Sequence, residues 1–188
     1  MPQRCPWCEG SDLYRAYHDN EWGRPSHDER HLFEMLILEG AQAGLSWSTI
    51  LNKRDNYRKA FHDFDAQRIA RYGERERNRL LADAGIVRNR LKIDATITNA
   101  KAYLQLRDEG STLDGWLWSW VDGQPLLNRW KVSKQVPAKT NLSDQISKAL
   151  LKRGFKFVGS TIIYAYLQAV GVVNDHLLSC DWHPDNAR

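Results

Sequence analysis

Cysteine is scarce in this chain: Cys5, Cys8 and Cys180 are the only three in 188 residues. Three thiols in a chain expected in a reducing compartment argue against a disulfide framework. No apolar run approaches the roughly 18 residues that a membrane helix needs. Behind the charge of Met1-Pro2-Gln3-Arg4-Cys5 there is no apolar stretch, so a signal peptide is not expected and a cytoplasmic location is. Repeats, low-complexity tracts and charged tails are also lacking, which excludes solenoids and disordered arms. No stretch alternates apolar and polar residues well enough to read as a sheet. Acidic residues are missing from two windows, 123–143 and 145–157, and each window carries four cations.

What is present fits an ordinary globular chain, 42% hydrophobic and 27% charged, with room for one core or two small lobes sharing an interface. The cations of the two acid-free windows are Arg129, Lys131, Lys134 and Lys139, then Lys148, Lys152, Arg153 and Lys156. Either set alone is equally well a solvated face. Both together, in a chain of net charge +4, point to a polyanion such as DNA. Eight tryptophans exceed what a core of this size needs and supply material for a stacking pocket.

Helical signals dominate. Ser26-His27-Asp28-Glu29 reads as a capping box that opens a helix running to Gly44. Further helices are expected over 46–61, 74–84, 88–107, 113–121, 143–152 and 160–170, with a last short turn over 174–180. Residues 124–140, with Pro125 and Pro137, read as irregular or extended. The expectation is an all-α bundle, one unit over 1–188, monomeric, with the segments 1–25 and 171–188 brought together.

Three constellations carry chemistry. The run from Lys152 to Thr161 joins two helices: Gly154 suits the left-handed position after the first, Gly159 allows close backbone approach, and Ser160 can cap the second. With Lys156 beside it, such a helix-hairpin-helix turn suits a phosphate. Secondly, His176 and Cys180 lie four apart, one helical turn, while Cys5, Cys8 and His18 stand near the other end. Four soft ligands make a closed, structural zinc site. Spacing leaves two sets open, one using His18 and one using Cys8 from the Cys5-Pro-Trp-Cys8 pair. A redox use of that pair lacks the surrounding βαβ pattern. Thirdly, Glu39 falls on an apolar stripe with Leu32, Met35, Leu36 and Ala43. A carboxylate there is ion-paired, at the stripe's edge, or facing a cavity that takes a cation. Trp7, Tyr14, Tyr17 and Trp47 are the aromatic company such a cation needs.

Cys5-x-Trp7, the run from Tyr14 to Gly23, the run from Phe33 to Trp47, Lys152 to Thr161, and Val173-Asn-Asp-His176 together resemble the DNA-3-methyladenine glycosylase I family. The resemblance runs from Cys5 to Cys180. It implies a helix-hairpin-helix glycosylase fold with zinc held by Cys5, His18, His176 and Cys180, favouring His18 over Cys8. It implies a base pocket of Glu39, Tyr17 and Trp47, with Trp7 and Tyr14 alongside, acting on double-stranded DNA that carries 3-methyladenine. N3-methylation makes the base a cation and a good leaving group, so a monofunctional enzyme without a lysine nucleophile is expected. Gly154, Lys156, Gly159 and Ser160 would meet the DNA backbone, and Leu45 would fill the gap left in the base stack. Asp175 receives no catalytic role. A non-catalytic, zinc-stabilised DNA-binding protein is the competing expectation, and it leaves Glu39 unexplained.

Overall fold

Small polar side chains start most of the helices, each accepting a hydrogen bond from a free backbone N–H two or three residues on. The computed structural model describes residues 1–186. Among them are nine α-helices: α1 Asp12–Asn20, α2 Glu29–Ala41, α3 Trp47–Ala60, α4 Ala66–Ile69, α5 Glu74–Leu81, α6 Arg90–Asp108, α7 Leu113–Ser119, α8 Asn141–Lys152 and α9 Ser160–Ala169. Ser11 caps α1, Ser46 caps α3, Asn89 caps α6, Thr112 caps α7 and Thr140 caps α8.

The capping box at Ser26 does not form. Asp28 caps α2 instead, accepting from the His31 N–H at 2.8 Å. Ser26 is drawn away by tertiary partners: its N–H donates to Val170 O and its hydroxyl meets His31 Nδ1 at 2.7 Å. Glu29 does not reach back either. Its carboxylate accepts from the Asp114 N–H at 3.0 Å and the Tyr103 hydroxyl at 3.0 Å, and so anchors the start of α7.

Helix α2 is the centre of the molecule. Every residue from Leu32 to Ala41 is buried, so it is a core helix enclosed on all sides rather than a striped surface helix. It packs on α3, α6, α7 and α9, and the Tyr166 hydroxyl of α9 donates to Leu32 O at 2.9 Å. This arrangement explains why both carboxylates on α2, Glu34 and Glu39, are desolvated although they stand five residues apart.

Two corrections concern the C-terminal segment. Residues 174–180 are not helical, and a small sheet exists. Strand β1 (Leu126–Leu127) pairs in parallel with β2 (Val173–Asn174), in register Leu126↔Val173 and Leu127↔Asn174. The ladder holds Val172 and Asn174 extended through bonds of 2.8 and 3.1 Å, so the chain cannot wind into a helix there. Among the described residues no helix is long and apolar enough to cross a membrane.

Candidate functional site

The two chain ends meet at four buried side chains. The ligand atoms of Cys5, His18, His176 and Cys180 all lie within 4.8 Å of one another. Cys180 Sγ is 3.5 Å from His18 Nε2 and 3.5 Å from His176 Nδ1, and Cys5 Sγ is 3.8 Å from His176 Nδ1. A tetrahedral metal with the usual Zn–S and Zn–N bonds gives sulfur–nitrogen edges of roughly 3.5 Å, so the donor set fits a closed tetrahedral site. The outer nitrogens are fixed too. His18 Nδ1 faces Asp19 Oδ1 at 2.8 Å, with Arg4 holding the same carboxylate, and His176 Nε2 donates to Trp22 O at 3.0 Å. Each imidazole thereby turns a bare nitrogen inward, as a metal ligand must. The Cys5–Cys180 hydrogen bond draws the Cys180 thiol well down, helped by both histidines, and pushes Cys5 up together with burial.

His176 and Cys180 reach one centre through a turn rather than along a helical face. Cys8 stands outside the cluster: its thiol donates to Cys5 O at 3.2 Å, and burial pushes it up to about 11. The cluster therefore contains His18 and leaves Cys8 out.

Beside the Cys/His cluster lies a pocket of about 280 Å³. Helix α1 contributes Tyr14 and Tyr17, the preceding turn gives Trp7, α2 gives Glu39 and the residue after it Gln42, and the first residue of α3 is Trp47. Cys5 and Leu177 line it as well, so one member of the Cys/His cluster forms part of its wall. The Tyr17 and Trp47 rings are 5.5 Å apart and tilted by 44°. A flat ligand sandwiched between them would need parallel rings roughly 7 Å apart, twice the contact distance. They form a corner, which stacks on one face of a flat ligand and meets its edge with the other ring. The Trp47 indole N–H is buried without a hydrogen-bond partner.

Glu39 is 3% exposed. Among the described residues its carboxylate has no ion-pair partner, and burial alone pushes it up to about 8 from 4.5. On the same helix, buried Glu34 is paired with Arg58 at 2.6 Å. An isolated carboxylate in an aromatic-lined pocket has the chemistry to receive a cation. No lysine lines this pocket.

Trp22, Gln42 and Asp175 are pocket residues to which sequence reasoning gave no role there. Asp175 is 2% exposed and fully satisfied by neutral donors. Asn128 Nδ2 at 2.7 Å and Trp130 Nε1 at 2.8 Å serve one oxygen; Gln168 Nε2 at 2.8 Å and the Tyr164 hydroxyl serve the other. Only the residue type offered a signal, because its partners lie up to 47 residues away.

The turn between α8 and α9 is stiff. Gly154 takes φ +91°, the left-handed conformation its position requires. Buried Asn99 clamps the Lys156 backbone, accepting from its N–H at 2.7 Å and donating to its carbonyl at 3.0 Å. Ser160 does not cap α9. Gly159 occupies that position, while the Ser160 hydroxyl binds Ser143 Oγ at 2.8 Å and Asp144. Arg153 is paired with Glu109 at 2.8 Å, whereas the Lys156 side chain is exposed. Phe157, at φ 53°, presses on α2: a Cβ on Gly40 would meet its Cβ and carbonyl oxygen at 3.2 Å. Leu45 stands exposed in the turn after α2.

Residues 7–183 match the family model described as methyladenine glycosylase. The chain belongs to that family. The methyladenine glycosylase match is supported by a curated relative, DNA-3-methyladenine glycosylase 1 of Escherichia coli (strain K12), 51% identical and covering 98% of each chain. A solved structure of a 3-methyladenine DNA glycosylase I superimposes with TM-score 0.95 at 53% identity, covering 97% of this chain and all of that one. A second, a variant of a 3-methyladenine DNA glycosylase I in complex with 3-methyladenine, gives TM-score 0.92 at 33% identity, covering 96% and 97%. Apart from Cys5, every residue of the pocket and of the Cys/His cluster lies inside the matched region.

Proposed function

We propose that this protein is a monofunctional DNA repair glycosylase that hydrolyses the N-glycosidic bond of 3-methyladenine in alkylated double-stranded DNA. The observation that carries the reading is Glu39, an unpaired carboxylate enclosed by aromatic rings on a helix whose other buried carboxylate is paired. The relatives' named activity agrees with it.

The flipped nucleotide costs a few kcal/mol to extrude. Its cationic base enters the corner of Tyr17 and Trp47, with Trp7 and Tyr14 alongside. Glu39, near 8 in the empty pocket, gives up its proton as the cation arrives, which costs about 1.4 kcal/mol at pH 7. Attraction between carboxylate and cation in a desolvated site exceeds that cost. A neutral adenine cannot draw the proton off, so it gains nothing from Glu39. As the C–N bond breaks, positive charge passes to the sugar; the ionised Glu39 and the DNA phosphates stabilise it, and water attacks C1′. The methylated base needs no general acid, and a pocket without lysine supports hydrolysis without lyase chemistry.

Cys5, His18, His176 and Cys180 would hold a structural zinc ion, which takes no part in the reaction and ties the pocket's wall to the C-terminal segment. The α8–α9 turn, through Gly154, Lys156, Gly159 and the backbone N–H of Ser160, would meet the DNA backbone as a helix-hairpin-helix. Leu45 would enter the space vacated in the stack. Free 3-methyladenine released from methylated duplex DNA is the deciding measurement, with wild type active and Glu39→Gln strongly impaired. A Glu39→Gln variant as fast as wild type would sink this account of the pocket.

A further inference from the structure

A groove of about 500 Å³ lies next to the base pocket and shares Gln42, Val136, Ala165 and Gln168 with it. Gly44, Pro137, Ala138 and Thr161 line the rest, so the groove runs from the pocket to the start of α9. A base in the pocket stays bonded to its sugar, so its own strand must pass the pocket's mouth. The wall segment around Val136 and Ala138 sits within the acid-free window 123–143. Lys134 precedes Val136 by two residues, Lys139 follows Ala138, and Lys131 stands at the near end of the same loop. All three are exposed, and among the described residues none has a carboxylate partner. The fourth cation of the window, Arg129, is taken by Asp185 at 2.9 Å.

Residues 128–135 of the loop are braced by hydrogen bonds within the protein. Gln135 Oε1 accepts from the Lys131 N–H at 2.8 Å, Trp130 O accepts from the Leu178 N–H at 2.9 Å, and Asp175 takes both Asn128 and Trp130. Exposed cations on an acid-free, partly braced loop beside a groove suit a polyanionic strand.

We infer that Lys131, Lys134 and Lys139 form a second phosphate grip, separate from the α8–α9 turn, on the strand that carries the flipped nucleotide. The identity of that strand rests on the glycosylase reading; the polyanion contact does not.

The test uses the full chain and a duplex containing a tetrahydrofuran abasic analogue, which binds without being cut. Affinity is followed by fluorescence anisotropy over a range of salt concentrations. Replacing Lys131, Lys134 and Lys139 together by Gln is expected to make the log affinity against log salt shallower by about 0.9 for each phosphate that is no longer neutralised. Replacing the same three by Arg keeps the slope. An equal removal of charge at Lys59, Arg71 and Arg75, on the end of α3 and around α5, leaves it unchanged. The proposal is overturned if the Gln variant keeps the wild-type slope, or if the remote variant flattens it as much. Base release by wild type is assayed separately: its absence beside a loop-dependent slope removes the glycosylase reading and keeps the grip.

Discussion

Glu34 and Glu39 lie five residues apart on one core helix, and only Glu34 has a cation, Arg58 at 2.6 Å. Glu39 holds a raised pKa of about 8 against 4.5 in an unfolded chain, so its proton is bound more tightly by the folded state. The resulting contribution is complete below pH 4.5 and is lost as pH rises through about 8. Glu39→Gln should therefore stabilise the empty protein, by little near pH 4 and by an amount on the order of a few kcal/mol above pH 8. Chemical denaturation at the two pH values checks this; equal stabilisation at both would contradict it.

The same group sets an acid limb on the rate. In the proposed mechanism Glu39 is ionised to receive the cation, so kcat/KM for 3-methyladenine release should fall with decreasing pH below about 8, approaching tenfold per unit. The limb should be missing in Glu39→Gln, whose residual rate stays flat. A wild-type profile flat from about pH 6 to 9 would argue against the proposed role.

The proposed zinc site makes a sharp prediction about two cysteines. Elemental analysis of purified protein should find one zinc per chain, lost in Cys5→Ser and His18→Ala and kept in Cys8→Ser. Loss of the metal should lower stability by an amount on the order of 10 kcal/mol, enough to unfold the chain. Asp19→Ala, which frees the outer nitrogen of His18, should weaken metal binding about 10–100-fold without abolishing it.

Asp175→Ala would leave Asn128, Trp130, Tyr164 and Gln168 without their common acceptor. A cost of at least about 3 kcal/mol is expected, with amides of residues 126–136 exchanging faster. Unchanged exchange in that loop would show that Asp175 does not hold it.

Gly40→Ala tests the join between helix and hairpin. Its Cβ would stand 3.2 Å from Phe157, whose backbone is already left-handed and has little room to yield. Overpacking of about 1–3 kcal/mol is expected, together with weaker DNA binding. A drop in stability with DNA affinity intact would separate the two elements.

Most of the helices are legible in the sequence because their signals are local: the cap Ser46, the stop at Gly154, and the periodic run in α6. Helix α1 escapes, although Ser11 caps it, because Tyr14 stands where a capping box would have Glu or Gln. Ser26 misleads for the opposite reason, offering a sound local pattern that Val170 and His31 claim instead. The two-residue strands carry no periodicity, and their pairing spans the chain from Leu126 to Val173. In the site, Glu39 stands out as a charge among apolar residues. That Glu34 is the paired one is not readable, since Arg58 is 24 residues away. Composition gives eight tryptophans but not their division between core, pocket and metal surround.

Cys5 and Leu177 belong at once to the metal cluster's surroundings and to the pocket's wall. One consequence concerns birth rather than catalysis. A ribosome releases Trp7, Tyr14 and Tyr17 early, yet the pocket they line has no far side until Asp175 and Leu177 have emerged. Translation must thus pass Leu177 before the pocket has all its walls, and a chain broken off before that point carries the aromatic residues without the pocket.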